Sequence, residues 1–296
     1  MLGLTAEYKR ATQTKTFKAI DEARQGLLSN RLCIEVPSTS ASETHEWLGQ
    51  MPEVKEFFDE RSIEGLKKWE FIIKNRHFET TLGFKKKELD DNPEIVAPMI
   101  PGMALTAAEH FDELMFDVLA LGESALCFDG KALFANDHPL ENGGSFDNLL
   151  SGSGVTAANI ATDFNAWVAM AKAITKRNGH PLIRNIGKPV ILHSPALEAV
   201  MRLRFKMPTY AGGETNDLFD QAEPIACGEL TGNDWYPVIT SRPMKPFVLQ
   251  NRENWKFRWE DSEATIFHTG MVYYGGDARY NIGMGHPALI AKVDNT

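Results

Sequence analysis

Residues 106–139, TAAEHFDELMFDVLALGESALCFDGKALFANDHP, decide how the chain is read. Phe111, Leu114, Met115, Val118 and Leu119 recur at i, i+3, i+4, i+7 and i+8, which is one continuous helical face that has to be buried. Thr106 with Glu109 three residues on predicts a capping-box start, and Gly122 predicts the stop. Phe128-Asp129-Gly130-Lys131 is a turn signal between apolar flanks, because Asp-Gly accommodates a tight hairpin. Asp137-His138-Pro139 then reads as an exposed turn, so His138→Ala is expected to cost little.

Upstream, Asn92 as cap and Pro93 at the first helical position predict a short helix. Pro98 and Pro101-Gly102 predict a kink before a long helix beginning at Thr106. Between Trp47 and Phe84 the pattern is extended and amphipathic. Trp69, Phe71 and Ile73 share one parity and Phe78, Thr80, Leu82 and Phe84 the other, so a break is expected near Lys74-Asn75. A two-stranded arm of this kind buries too little to stand alone and calls for a second surface. Residues 1–31 are basic with scattered apolar anchors, and predict an arm or a surface helix.

Downstream, 141–145 and 151–154 are loop compositions. Thr156 predicts a cap for a helix whose face is Ile160, Phe164, Trp167, Val168, Ala171 and Ile174. Pro189 to Leu192 predicts a buried strand, and Ser194-Pro195 the start of a helix to about Phe205. Strands are expected at Ile225 to Leu230, Trp235 to Thr240 and Phe247 to Gln250, with an extended run from Ala264 to Tyr274. The whole reads as α+β.

The chain has 296 residues, 43% of them apolar, and a formal net charge of −9. That balance argues against phosphate-backbone binding as the main task. No run reaches the roughly 18 apolar residues of a membrane span, and MLGLTAEYKR lacks the apolar core of a signal peptide, so a cytosol-like compartment is expected. Cys33, Cys127 and Cys227 lack metal-ligand spacing and predict free buried thiols.

Catalytic motifs are absent: there is no P-loop, dinucleotide fingerprint, Gly-x-Ser-x-Gly elbow, His-Glu-x-x-His helix or Cys-x-x-Cys pair. The best constellation is Asp129, Asp137 and His138 around one turn, with His193 or His286 as further members, which would suit a metal-dependent hydrolase. The bland reading, turn residues, is preferred. No catalytic, cofactor-binding or metal site is assigned, and no cofactor is expected.

The chain resembles the major head (capsid) protein family of Mu-like phages and prophages, whose members are HK97-type shell proteins. The resemblance rests on Glu46-Trp47-Leu48-Gly49, Asn75-Arg76-His77-Phe78-Glu79-Thr80-Thr81, Asp90-Asp91, and Phe128-Asp129-Gly130 through Phe134 to Asp137-His138-Pro139. It continues in Lys245-Pro246-Phe247-Val248-Leu249-Gln250-Asn251-Arg252 and Asp277-Ala278-Arg279-Tyr280-Asn281. It implies an HK97-like capsid fold with an N-terminal arm (1–45) and an E-loop β-hairpin (46–88). It further implies a peripheral domain with a spine helix (89–140 and 250–280) and an axial domain (141–249 and 281–296). Hexamers and pentamers forming an icosahedral shell around double-stranded DNA follow from the resemblance. So do a separate scaffold, portal and decoration proteins, and a place in the virion after assembly in the host cytoplasm. The same fold also serves bacterial nanocompartment shells, a second reading.

Overall fold

The computed structural model describes residues 4–45, 71–140, 142–209 and 213–295. The greater part of the hairpin expected over 46–88, residues 46–70, lies outside the described residues.

The largest sheet has four strands in the order β1 (Cys33–Pro37), β11 (Phe247–Glu260), β12 (Met271–Met284) and β4 (Arg76–Lys85). β1 runs parallel to β11, and β12 is antiparallel to both β11 and β4. Along β12 burial alternates from Met271 to Ile282. Val272, Tyr274, Ala278, Tyr280 and Ile282 point into the core, while Asp277 and Arg279 face out. That period of two is the signature of a sheet with one wet face.

Helix α4 (Met99–Ala120) lies under this sheet and buries Phe111, Leu114, Met115 and Leu119 against Tyr274, Tyr280, Trp255 and Phe257. Phe111 stacks on Tyr280 with ring centroids 4.4 Å apart, and Trp255 donates to the Ala107 carbonyl. The helix begins seven residues before Thr106, so the expected capping-box start is not used. Pro101 is its third residue, and in a first turn a missing N–H removes no intrahelical bond, so the proline does not break it. Gly122 does mark the end. A Cβ there would lie 2.5 Å from the Phe134 ring and 2.9 Å from the Leu119 carbonyl, so close approach excludes a side chain.

The basic N-terminal segment is helix α1 (Ala6–Arg24), capped by Thr5 and packed on its own subunit. Thr16 Oγ1 sits 2.7 Å from the Tyr274 hydroxyl, and Gln13 donates to the Phe257 carbonyl. The short helix α2 (Leu28–Leu32) follows, its Leu28 and Ser29 N–H groups held by the Asp112 carboxylate. Strand β2 (Ser42–Thr44) pairs with β3 (Ile72–Lys74), and α3 (Lys86–Asp91) and a 3-10 turn (Pro93–Val96) lead into α4. The parity break is where the alternation places it: Ile73 is buried in β3, Asn75 interrupts, and Phe78, Leu82 and Phe84 carry the inner side of β4.

The second sheet has five strands in the order β7 (Leu149–Ser151), β13 (Lys292–Asp294), β10 (Trp235–Val238), β8 (Val190–His193) and β9 (Glu223–Ala226). All four residues of β8 are buried. Val190 and Leu192 join the core under α4. Ile191 joins a second core made with α5 (Ala157–Ala173) and α6 (Glu198–Phe205), where Trp167, Phe164, Phe205 and Trp235 meet. A two-residue pair, β5 (His138–Pro139) and β6 (Ser145–Phe146), connects α4 to this half.

One expected strand is a helix. Residues 263–269 form α7 (Glu263–Thr269), started by Ser262, whose Oγ accepts from Thr265 N, and ended by Gly270 at φ 66°. The apparent alternation of Thr265, Phe267 and Thr269 is overridden by these end signals, and Phe267 is left 86% exposed. The extended run starts at Met271 and continues past Gly275-Gly276 to Met284, and β11 runs ten residues beyond the expected Gln250.

Candidate functional site

The turn after α4 is built by Cys127 N–H donating to Lys131 O and Gly130 N–H to Cys127 O, which leaves the Asp129 side chain pointing inward. Asp129 Oδ1 accepts from Lys131 N, and Oδ2 lies 2.6 Å from His138 Nδ1. His138 is 0% exposed, so the expected exposed histidine is corrected: Asp137 and Pro139 face solvent and the imidazole between them does not. In a strand neighbouring side chains alternate, and β5 turns His138 in under Phe146, whose ring stacks on it at 4.8 Å.

His138 Nε2 is 3.2 Å from both Leu133 O and Asn148 Oδ1. The Asn148 oxygen is fixed as an acceptor by Ala135 N, and its Nδ2 donates to Leu133 O, Pro287 O and Ile290 O. His138 Nε2 faces two acceptors and is therefore the donor to them. His286 borders this cluster: its Nδ1 accepts from Ala288 N and its ring meets Phe128 at 5.7 Å. Burial pushes the His286 imidazole down to about 4, against the opposing pull of Asp129.

Of the five candidate residues, Asp129, His138 and His286 thus come together. Asp137 stays on the surface, paired with Lys131. His193 lies in β8, donating to Ser194 O, with Glu198 at 3.7 Å. The cluster's polar atoms are turned on one another in a closed interior, an arrangement that ties segments together and offers no open face to a substrate. Among the described residues no group of three or more His, Cys, Asp or Glu could hold a metal. The three cysteines are free and buried, and burial raises each thiol, Cys227 to about 12. Sequence reading missed Asn148, the hub that binds the turn to the C-terminal carbonyls. A second tie is Lys292 of β13, whose ammonium meets Glu123 at 2.5 Å and Asp234 at 2.9 Å. Burial opposes its charge, and the two carboxylates outweigh that and raise it.

The other constructed polar centre sits where the chain leaves for residues 46–70 and returns. His45 N donates to Phe71 O, and Asn75 N to Ala41 O, closing the β2–β3 ribbon. Beneath it, Gln250 of β11 is 0% exposed. Its Nε2 donates to Ile73 O (3.1 Å) and Asn75 Oδ1 (2.9 Å), and its Oε1 accepts from His45 Nε2 (3.0 Å). Asn75 Nδ2 donates onward to Ser38 Oγ and Ser40 O. Glu43 gathers Thr39 N, Ser40 N and Ser38 Oγ, and these donors hold its carboxyl down at about 2.

The family model for the Mu-like prophage major head subunit gpT matches residues 9–183 and 226–296. The chain is 33% identical over 134 residues to the Mu-like prophage FluMu major head subunit of Haemophilus influenzae, covering 45% of this chain and 44% of that protein. It is 35% identical over 133 residues to the major capsid protein of Escherichia phage Mu, covering 44% and 42%. These matches span less than half the length of either relative. Over the fold as a whole it is similar to a subunit of the bacteriophage JBD30 procapsid, with 25% identity, a TM-score of 0.59, and 99% of this chain and 76% of that chain covered. Two sheets around a long helix and a family match across most of the sequence agree: the chain belongs to the Mu-like prophage major head subunit gpT family.

Proposed function

We propose that copies of this chain assemble as hexamers and pentamers into a closed icosahedral shell, the head of a Mu-like phage, enclosing double-stranded DNA without reading its sequence. The observation that carries the reading is the ribbon on which the chain enters and leaves residues 46–70. The chain departs and returns on a ribbon of three residue pairs, Ser42–Lys74 to Thr44–Ile72, bolted to the main sheet. A two-stranded segment buries too little to be stable alone, and a neighbouring subunit would supply a second surface. In this reading residues 1–45 are the N-terminal arm and 46–88 the E-loop. The α4 half, 89–140 and 250–280, is the peripheral domain, and 141–249 with 281–296 the axial domain. The formal charge of −9 suits a wall that contains DNA rather than gripping it. No described helix is long and apolar enough to cross a membrane. A separate scaffold, portal and decoration proteins complete the head, which is built in the host cytoplasm.

Deleting Pro52 to Lys68 tests the arm directly. The variant is expected to give a folded subunit that builds no shells in negative-stain microscopy. Normal particles from it would overturn the reading.

A further inference from the structure

We propose that the Gln250 carboxamide is a positioning residue. It fixes the orientation of the β2–β3 ribbon on the four-stranded sheet, and so the curvature with which neighbouring copies join. The inference rests on the shell reading above.

In the inner run Phe247-Val248-Leu249-Gln250 three residues are apolar and the fourth is a fully buried amide. An amide in such a place is tolerated when its donors and acceptor are matched. Here the matching groups come from both limbs of the ribbon: His45 on the outgoing limb, the Ile73 carbonyl and Asn75 on the returning one. One planar group therefore holds both limbs at once.

The apolar contact at the same place, Ile73 on Val248, anchors the ribbon without orienting it, because apolar burial is non-directional. Three bonds from one rigid plane do orient it. Two further amides extend the grip. Asn75 reaches the 38–40 turn, and Asn281 Nδ2 donates to the Lys74 carbonyl. The ribbon is thus held from β11, β12 and the turn after β1, while its own three residue pairs are too few to define a course.

The test uses the full chain carrying Gln250→Leu, with Asn75→Ala as a milder second variant that carries the same readouts if the first does not fold. Hydrogen exchange is read at the His45 and Asn75 amides, and particle diameter by electron microscopy. The expected result is exchange about tenfold faster or more at those two amides, with β12 amides unchanged. Particles should spread in diameter or form open sheets. Uniform particles of wild-type diameter from a variant whose two amides have lost protection would overturn the inference, as would unaltered protection. If deletion of Pro52 to Lys68 stops shell formation while Gln250→Leu builds wild-type shells, this inference alone fails. If the deletion also builds normal shells, the arm reading fails with it.

Discussion

The four-stranded sheet buries one face and leaves most of the other in water, Val248 and Gln250 under the ribbon excepted, whereas β8 of the five-stranded sheet is covered on both. On the outer face of the first, Arg258 meets Asp277 at 3.1 Å, Lys256 meets Glu253 at 2.8 Å and Arg279 meets Glu253 at 3.5 Å. In the second, Val190 to His193 have no wet side at all, and successive residues serve different cores. The first sheet is therefore a surface carrying a core, and the second is a partition between two cores. A change on the partition is felt on both sides; a change on the outer face of the surface is felt by water.

The comparison breaks most visibly in the cores. Phe111→Ala under the first sheet and Trp167→Ala beyond the second are each expected to destabilise by about 3–5 kcal/mol, through lost burial and the cavity left behind. Because β8 contributes to both cores, either variant should shift one cooperative transition in calorimetry. Two separated transitions with Trp167→Ala would show that the partition divides rather than joins.

Acid sharpens it next. His286 is half-buried near the junction, and desolvation pushes its native imidazole down to about 4, below the 6.5 of the free side chain. The native state thus binds fewer protons, so its contribution is full above about pH 6.5 and declines as pH falls towards 4. The loss amounts to about 3 kcal/mol across that window. Denaturant melts at stepped pH should show this slope, and His286→Gln, which keeps an acceptor for Ala288 N, should flatten it. The smallest effect belongs to the wet face: Arg279→Ala is expected to change stability by less than about 0.5 kcal/mol in the same melts, its ion pair being half in solvent.

The same contrast governs what could be read from sequence. The apolar stripe of α4 was legible because a helix face repeats locally, and so were the parity break at Asn75 and the Thr156 cap, where the Thr oxygen accepts from Asn159 N. The start of α4 was misread because a proline signal carries different meaning in a first turn than in an interior. α7 was misread because three alternating side chains outweighed Ser262 and Gly270. Asn148 and Gln250 left no local trace of their roles. Asn148 finds its acceptors about 140 residues away, at Pro287 and Ile290. Gln250 finds its own at Ile73 and Asn75, about 175 residues away. For Gln250 one clue was present, a lone amide closing an apolar run. His138 was placed on the surface because Pro139 follows it, yet strand alternation turned it inward.

The parallel pairing of β1 with β11 has a consequence in time. Cys33 lies opposite Phe247, so the sheet over α4 stays unfinished until about 210 further residues have left the ribosome. At bacterial-type synthesis rates that is roughly 10–40 s. For roughly the last 127 of those residues, from Ala120 on, the apolar face of α4 waits without its cover, the interval in which a nascent chain is most exposed to sticking to others. β11 and β12, made late, are also the strands that complete the mount for the ribbon. The ribbon is therefore seated only as the interior over α4 closes.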